Sequence, residues 1–426
     1  MEIMQKELMP GVTLTALHTE KFKSSFLSLT LIAPMDANTV TANALLPSVL
    51  RRGTKVHPDN QAISAALDDL CGGVLEARVR QQGEAQCIGF AGSFLDDAFS
   101  PDGEAILEPA AALMGEMLLQ PSLEDGIFRA DYVHGEGKNL ADRIRAQIND
   151  KRQYSIKRLT QLMCKDEAYG LDKLGFAEEA AAMDARRLWE RYQILLNTAP
   201  IAVYYCGSAS AERVELAIKR ALSGLPERTN VNMPGMETGT KPVDSVRCFE
   251  DSMDVTQGKL ALGWRTGGIT IRAEEYPALL VLNAVYGGTT TSKLFMNVRE
   301  KLSLCYFASS MLDKQKGLML VSSGIEFEKF DQAKGEILKQ FQACVSGEFT
   351  DQELEAGRRA VVSSLTSCVD SQGRLEDYWL AQNTAEMTQN PGELASAVEK
   401  VTREQVVAVA EKMELDAVYF LKGKEE

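Results

Sequence analysis

Histidine is nearly absent from this chain, with three in 426 residues, at positions 18, 57 and 134. No two stand four residues apart, so no helix presents the i,i+4 histidine pair that holds zinc in many hydrolases. The eight cysteines, at 71, 87, 164, 206, 248, 305, 344 and 368, form no CxxC pair. Several sit in apolar stretches (AQCIGF, VYYCG, QACV), where cysteine reads as a small buried hydrophobe in a reducing compartment. No run approaches the roughly 20 apolar residues of a membrane span. The N-terminal MEIMQKELMPGVTL lacks the basic-then-apolar order of a signal peptide, so the expected location is cytoplasmic. Positive charge is also short: 46 Lys and Arg stand against 60 Asp and Glu, a net charge of -14. That balance argues against nucleic acid and anionic membrane as partners and leaves basic or neutral peptides open.

What remains is a soluble composition, 45% hydrophobic and 25% charged. A chain of 426 residues exceeds one ordinary core and implies two domains. Strand patterns fall at 12–17 and 26–33 (FLSLTLIA), followed by helix patterns at 38–50 and 59–70 with Arg51-Arg52-Gly53-Thr54 between them. Cys71-Gly72-Gly73 ends the second helix as glycine ends helices, and 74–79 with 85–92 reads as a hairpin. Helix patterns then cover 104–119, most of 125–163 and, after a cap at Asp184, LWERYQILL. A strand at 201–206 and a helix capped by Ser210 close the half. Residues 225–245, with Pro226, Pro234, Gly235, Gly239 and Pro242 and almost no apolar periodicity, read as a linker between domains at 1–224 and 246–426.

The second half repeats this order. KLALGW at 259–264 matches FLSLTLIA, and a helix at 274–286 runs into GGT as the earlier one ran into RGT. A strand pair follows at 307–311 and 317–324, then helices at 330–345 and beyond Thr350, where Thr350 with Glu353 forms a capping box. Thr402 with Gln405 forms another, and AVYFL closes the half as IAVYYC did. A repeat of this length is a duplicated domain. Hairpin-joined strands and paired helices imply α+β, a mostly antiparallel sheet with helices on one face in each domain.

The second half carries one further stretch, YGGTTTSKLFMNVREKLSLCY at 286–306. Glycine 287 and 288 suit a tight turn. Residues 292–301 suit an amphipathic helix with Leu294, Phe295, Val298 and Leu302 inward. Arg299 sits beside that stripe, and Tyr306 follows seven residues later at the head of a strand. Taken singly, Arg299 is a solvated helix residue and Tyr306 a half-buried strand residue.

The duplicated arrangement resembles the insulinase/pitrilysin superfamily of zinc peptidases, which includes mitochondrial processing peptidase. The resemblance covers nearly the whole chain and is most specific in RRGTKVHPDNQAISAALDDLCGG and LFMNVREKLSLCY. It implies an HxxEH motif on the helix before the first GT turn, two histidines holding zinc and the glutamate activating water, with a distal glutamate ligand on a later helix. Those positions fall here on Ala44, Leu45, Leu46, Pro47 and Ser48, and the distal one on Gly137, or on Glu136 if the register slips by one. The motif is degenerate at Ala44, Pro47 and Ser48, so this chain is expected to hold no zinc of its own. The resemblance also implies that Arg299 and Tyr306 bind the substrate carbonyl and stabilise the developing oxyanion. A chain that keeps this pair and lacks the metal resembles the non-catalytic subunit of two-subunit members. The expected partner is a zinc-bearing homologue in a heterodimer, or a second copy in a homodimer, with a peptide as ligand. A stand-alone homodimeric peptide-binding or scaffold protein is the alternative. Three scattered histidines argue against an active peptidase with other ligands.

Overall fold

Leucine and hydroxyl residues alternate along Ser24–Pro34, and an extended chain sends alternate side chains to opposite faces. In the computed structural model, which describes residues 2–228, 231–235 and 243–424, that alternation sets the two faces of the first sheet. The strands in chain order are β1 (Glu2–Met9), β2 (Val12–His18), β3 (Ser24–Pro34), β4 (Val74–Gln82), β5 (Ala85–Leu95), the two-residue pair β6 (Leu123–Glu124) and β7 (Ile127–Phe128), and β8 (Ile201–Gly207). The sheet order is β1-β2-β8-β3-β5-β4, with β2 and β8 parallel and every other pair antiparallel. Leu27, Leu29 and Leu31 face a core shared with Ile88, Phe90, Val203 and Tyr205 and with the helices Val40–Leu50, Leu107–Leu119, Ala185–Thr198 and Ala211–Ala221.

Ser28 and Thr30 point the other way. Ser28 Oγ donates to Glu376 Oε1 at 2.8 Å, and Arg80 Nη2 donates to the same oxygen at 2.7 Å. Glu376 lies on the helix Gln372–Thr384, whose Leu380 packs with Ile32, Cys87 and Ala202. The opposite face of the first sheet is thus covered by a helix from the second half of the chain.

The second sheet contains β9 (Arg247–Met253), β10 (Gly258–Arg265), β11 (Cys305–Asp313), β12 (Leu318–Ile325) and β13 (Glu414–Gly423) in the order β11-β12-β10-β13-β9. Only β13 and β9 run parallel. The order and directions reproduce β4-β5-β3-β8-β2, the duplication that the sequence implies. One face packs Trp264 against Tyr286 and Phe341, with ring centroids 6.0 and 5.2 Å from Trp264. The other takes the helix Lys151–Met163 from the first half, which buries Ile156, Leu159 and Met163 against Ala261, Leu320, Ala417 and Tyr419. Each such side chain contributes about 2 kcal/mol by burial. Gly263 lies directly beneath this helix: a Cβ there would come within 2.6 Å of Met163 Sδ, so no larger residue fits without displacing it.

The same borrowed segment ends in charge. Arg265 Nη2 donates to Glu167 Oε1 at 2.6 Å, and Lys316 Nζ reaches Glu167 Oε2 at 2.7 Å. Arg265 Nε also meets Asp416 Oδ2 at 2.7 Å. Burial pushes the Glu167 carboxyl up, but hydrogen bonds from Arg265 and Lys316 outweigh that and hold it at about 2.

The α+β class therefore holds, with an exchange added to it. The compact units comprise Met1–Ala146, Leu171–Gly235 and Gln372–Thr384, and Gln147–Gly170, Met236–Ser371 and Ala385–Glu426. Segments 147–170 and 372–384 fall in sequence within the expected domains 1–224 and 246–426, and each belongs to the compact unit built mainly from the other half. Within the linker expected at 225–245, positions 229–230 and 236–242 lie outside the described residues. No helix among the described residues is long and apolar enough to cross a membrane.

Candidate functional site

Two groups of residues carry the sequence expectations, one in each unit. In the first, the helix Val40–Leu50 buries Ala44, Leu45, Leu46 and Pro47 and leaves only Ser48 half-buried. Leu45, Leu46 and Val49 belong to the core, so an apolar sequence here serves packing. Pro47 sits inside the helix and supplies no backbone N–H. On the helix Ala130–Ala146, Gly137 is buried so closely that a Cβ would lie 2.4 Å from the Ala180 carbonyl oxygen, which leaves no room for a carboxylate at that position. Its neighbour Glu136 does reach the same region as Ser48. Both line a cavity of about 350 Å3 together with Arg51, Arg52, Asn60, Glu76 and Arg143.

That donor set does not fit zinc. Structural and catalytic zinc sites use three or four protein ligands, and a guanidinium beside the metal position opposes a dication. Here Glu136 Oε1 accepts from Arg52 Nη1 at 3.2 Å. Among the described residues no group of three or more His, Cys, Asp and Glu could hold a metal ion. The histidines are engaged elsewhere or open to solvent. His57 Nδ1 lies 3.0 Å from Glu116 Oε1, and its backbone N–H donates to Thr54 Oγ1 at 2.8 Å, which fastens the turn after the helix. His18 Nδ1 lies 3.3 Å from the Ala209 carbonyl oxygen, and His134 is exposed.

In the second unit the helix before Tyr306 is wider than its sequence pattern suggests. Leu294–Lys301 adopts a π-type winding, in which the Leu302 N–H donates to the Asn297 carbonyl five residues back at 3.2 Å. Leu294 and Val298 remain fully buried, but the wider turn carries Leu302 out of the stripe and into solvent. Ser303 then takes a left-handed conformation at φ 49°, and the Leu304 N–H returns to the Val298 carbonyl at 3.0 Å. This closure delivers the chain directly into β11, the edge of the second sheet.

Arg299 leaves the helix exposed, its side chain 42% accessible, with the guanidinium 4.6 Å from the Phe295 ring centroid and Nε 3.4 Å from Glu300 Oε1. A guanidinium resting on an aromatic face keeps its outer nitrogens available for a ligand. Tyr306 sits where the β11–β12 register shifts: Cys305 pairs with Ile325 and Phe307 with Gly324, leaving Tyr306 as the bulged residue. A bulge re-aims a side chain, and Tyr306 is 61% exposed. The half-buried strand position expected from the sequence alone is therefore not what Tyr306 occupies. Its neighbour Cys305 is buried, which pushes that thiol up.

The arginines of the first-unit cavity escaped sequence reading. Arg51 and Arg52 were legible only as the close of a helix, and Arg143 lies about 90 residues further along the chain. Each charge has an ordinary surface context in one dimension, so only the fold brings them to one wall.

A family model described as the peptidase M16 inactive domain matches residues 183–361. The chain is 36% identical over 417 residues to the probable inactive metalloprotease YmfF of Bacillus subtilis strain 168, covering 97% of this chain and 96% of that protein. A conserved protein from Enterococcus faecalis V583 has a crystal structure similar at a TM-score of 0.89, with 25% identity over 100% of both chains. The peptidase M16 inactive domain from Pseudomonas fluorescens shares the fold at a TM-score of 0.81 and 16% identity, covering 100% of this chain and 99% of that one.

Proposed function

Because the chain belongs to the peptidase M16 family, the insulinase/pitrilysin peptidases, as a member without the HxxEH zinc motif, we propose that it is the non-catalytic subunit of a two-subunit metallopeptidase. On this reading it binds and orients a peptide for a zinc-bearing homologue. The observation that carries it is the exposed pair on the second unit: Tyr306 is bulged out of its strand ladder and Arg299 stands free of the core. A relic under no demand has no need of a bulge that costs ladder hydrogen bonds. The Arg299 fork would hold a peptide carbonyl or carboxylate, and the Tyr306 hydroxyl would donate to the oxygen on which charge develops.

The cytoplasm is the proposed location. Six of the eight cysteines are buried free thiols, and burial pushes Cys87 and Cys344 up to about 12, which keeps them protonated and inert. The test is peptide cleavage by three preparations: this chain alone, a zinc-bearing homologue from the same cell alone, and the two together. Cleavage that requires both chains supports the reading. Equal cleavage by the homologue alone leaves this chain as a stand-alone peptide-binding or scaffold protein.

A further inference from the structure

The cavity beside Ser48 has a charge at odds with the chain that surrounds it. The sequence carries a net charge of -14, yet three arginines, Arg51, Arg52 and Arg143, line this one space. They face two carboxylates there, Glu76 and Glu136, so the lining carries a surplus positive charge. Arg52 is committed to Glu136. Glu76 lies 3.5 Å from Arg78, which is not part of the wall and is shared with Glu376 at 3.9 Å, so Glu76 still counts against the cations of the lining.

The other two cations are uncommitted. Arg51 uses only Nε, which donates to the Leu75 carbonyl oxygen at 2.9 Å. That bond fixes the plane of the guanidinium and leaves Nη1 and Nη2 without a partner among the described residues. Arg143 comes from the last turn of the helix Ala130–Ala146 and has neither a hydrogen-bond nor an ion-pair partner among the described residues. A cation at a helix C-terminus is favourable in itself. Arg145, on the same turn, already fills that role while pairing with Asp142 and Glu178, and it does not line the cavity. Ser48 and Asn60 add neutral hydrogen-bonding groups to the wall.

We propose that this cavity is a carboxylate-binding site, with Arg51 and Arg143 as its cations. A guanidinium fork matches the two oxygens of a carboxylate, and a volume of about 350 Å3 admits one carboxylate-bearing side chain or chain end. A monoanion balances the lining. A dianionic phosphate would leave excess negative charge beside Glu76 and Glu136. The peptide reading above supplies only the carrier: the carboxylate is an acidic side chain or the C-terminus of a peptide.

The experiment uses the full chain without any partner, so its outcome is independent of whether a second subunit exists. Fluorescent peptides of one sequence are compared in three forms: a central Glu with an amidated end, a central Gln with an amidated end, and a central Gln with a free end. Inorganic phosphate and acetate serve as competitors. At low salt at least one carboxylate-bearing peptide binds about tenfold tighter than the neutral one, as a charge-assisted pair predicts. The advantage shrinks as salt rises. The comparison of the first and third peptides assigns the carboxylate to a side chain or to a chain end. Arg143→Ala brings the ratio close to one with the circular dichroism spectrum unchanged, since that side chain is exposed, and Arg51→Gln does the same while keeping a donor for Leu75. Equal binding of all three peptides overturns the proposal. So does a tenfold advantage that survives in Arg143→Ala, or displacement by phosphate at concentrations where acetate is inert.

Discussion

Replacing Glu167 by glutamine removes one charge from the ion-paired cluster with Arg265 and Lys316 in the second unit and keeps the size of the side chain. The Glu167 side chain is 3% exposed, Arg265 is 4% exposed and Lys316 is fully buried, so both cations would lose the counter-charge they share, although Arg265 keeps Asp416. Two routes give the magnitude. Removing one partner of a buried ion pair costs about 3–5 kcal/mol. The carboxyl titrates at about 2 in the folded chain against an ordinary 4.5, which corresponds to about 3 kcal/mol. The sign follows from the depressed value: this stabilisation is fully present above pH 4.5 and is lost as the pH falls toward 2. For a unit of this size about 3 kcal/mol lowers Tm by roughly 6–12 °C. Calorimetry at pH 7 and again near pH 3 measures it. The variant is expected to melt well below wild type at neutral pH, with the gap narrowing in acid. An unchanged Tm at pH 7, or a gap that persists in acid, would refute the reasoning. Because Glu167 belongs to the segment lent by the first half of the chain, the same data test that exchange.

Two further outcomes follow from the exchange and from the altered motif. A protease cut within 225–245 is expected to leave two fragments that elute together in gel filtration without denaturant, because each unit keeps a helix from the other fragment; separate elution contradicts the exchange. After dialysis against a trace of zinc, elemental analysis is expected to find far less than one zinc per chain, with Ala44 and Pro47 buried and Glu136 held by Arg52; about one tightly held zinc would contradict the fit of the donor set.

Local structure was largely legible because it depends on neighbours in sequence. FLSLTLIA is the middle of β3, Asp184 and Ser210 cap their helices, and the boxes at Thr350 and Thr402 both form. The long helical stretch expected at 125–163 is broken by β7 and, near Asp150, by a cap that starts a new helix. That break matters because the second helix crosses to the other sheet. No periodicity reveals such a crossing: Ile156, Leu159 and Met163 form an ordinary apolar stripe whichever sheet they cover. The parallel pairs β2–β8 and β9–β13 were equally silent, since their partners lie more than 150 residues apart. Strand β1 escaped because its exposed edge position leaves little apolar pattern. At the candidate site, Arg299 and Tyr306 were legible through motif and spacing, whereas the π-type winding and the bulge that expose them depend on how β11 meets β12.

The subunit reading rests most directly on what the Tyr306 hydroxyl does. Tyr306→Phe keeps the ring and removes only the donor, and at 61% exposure the side chain holds little of the fold. In the reconstituted pair, turnover of a peptide substrate should fall by roughly a hundredfold, as for the loss of one oxyanion donor, and Arg299→Lys should also lower it by removing the planar fork. The melting temperature of each variant, measured on the same preparation, should stay at the wild-type value. Turnover that stays at the wild-type level in Tyr306→Phe, or that falls only in step with the melting temperature, would contradict a role for this chain in holding the substrate.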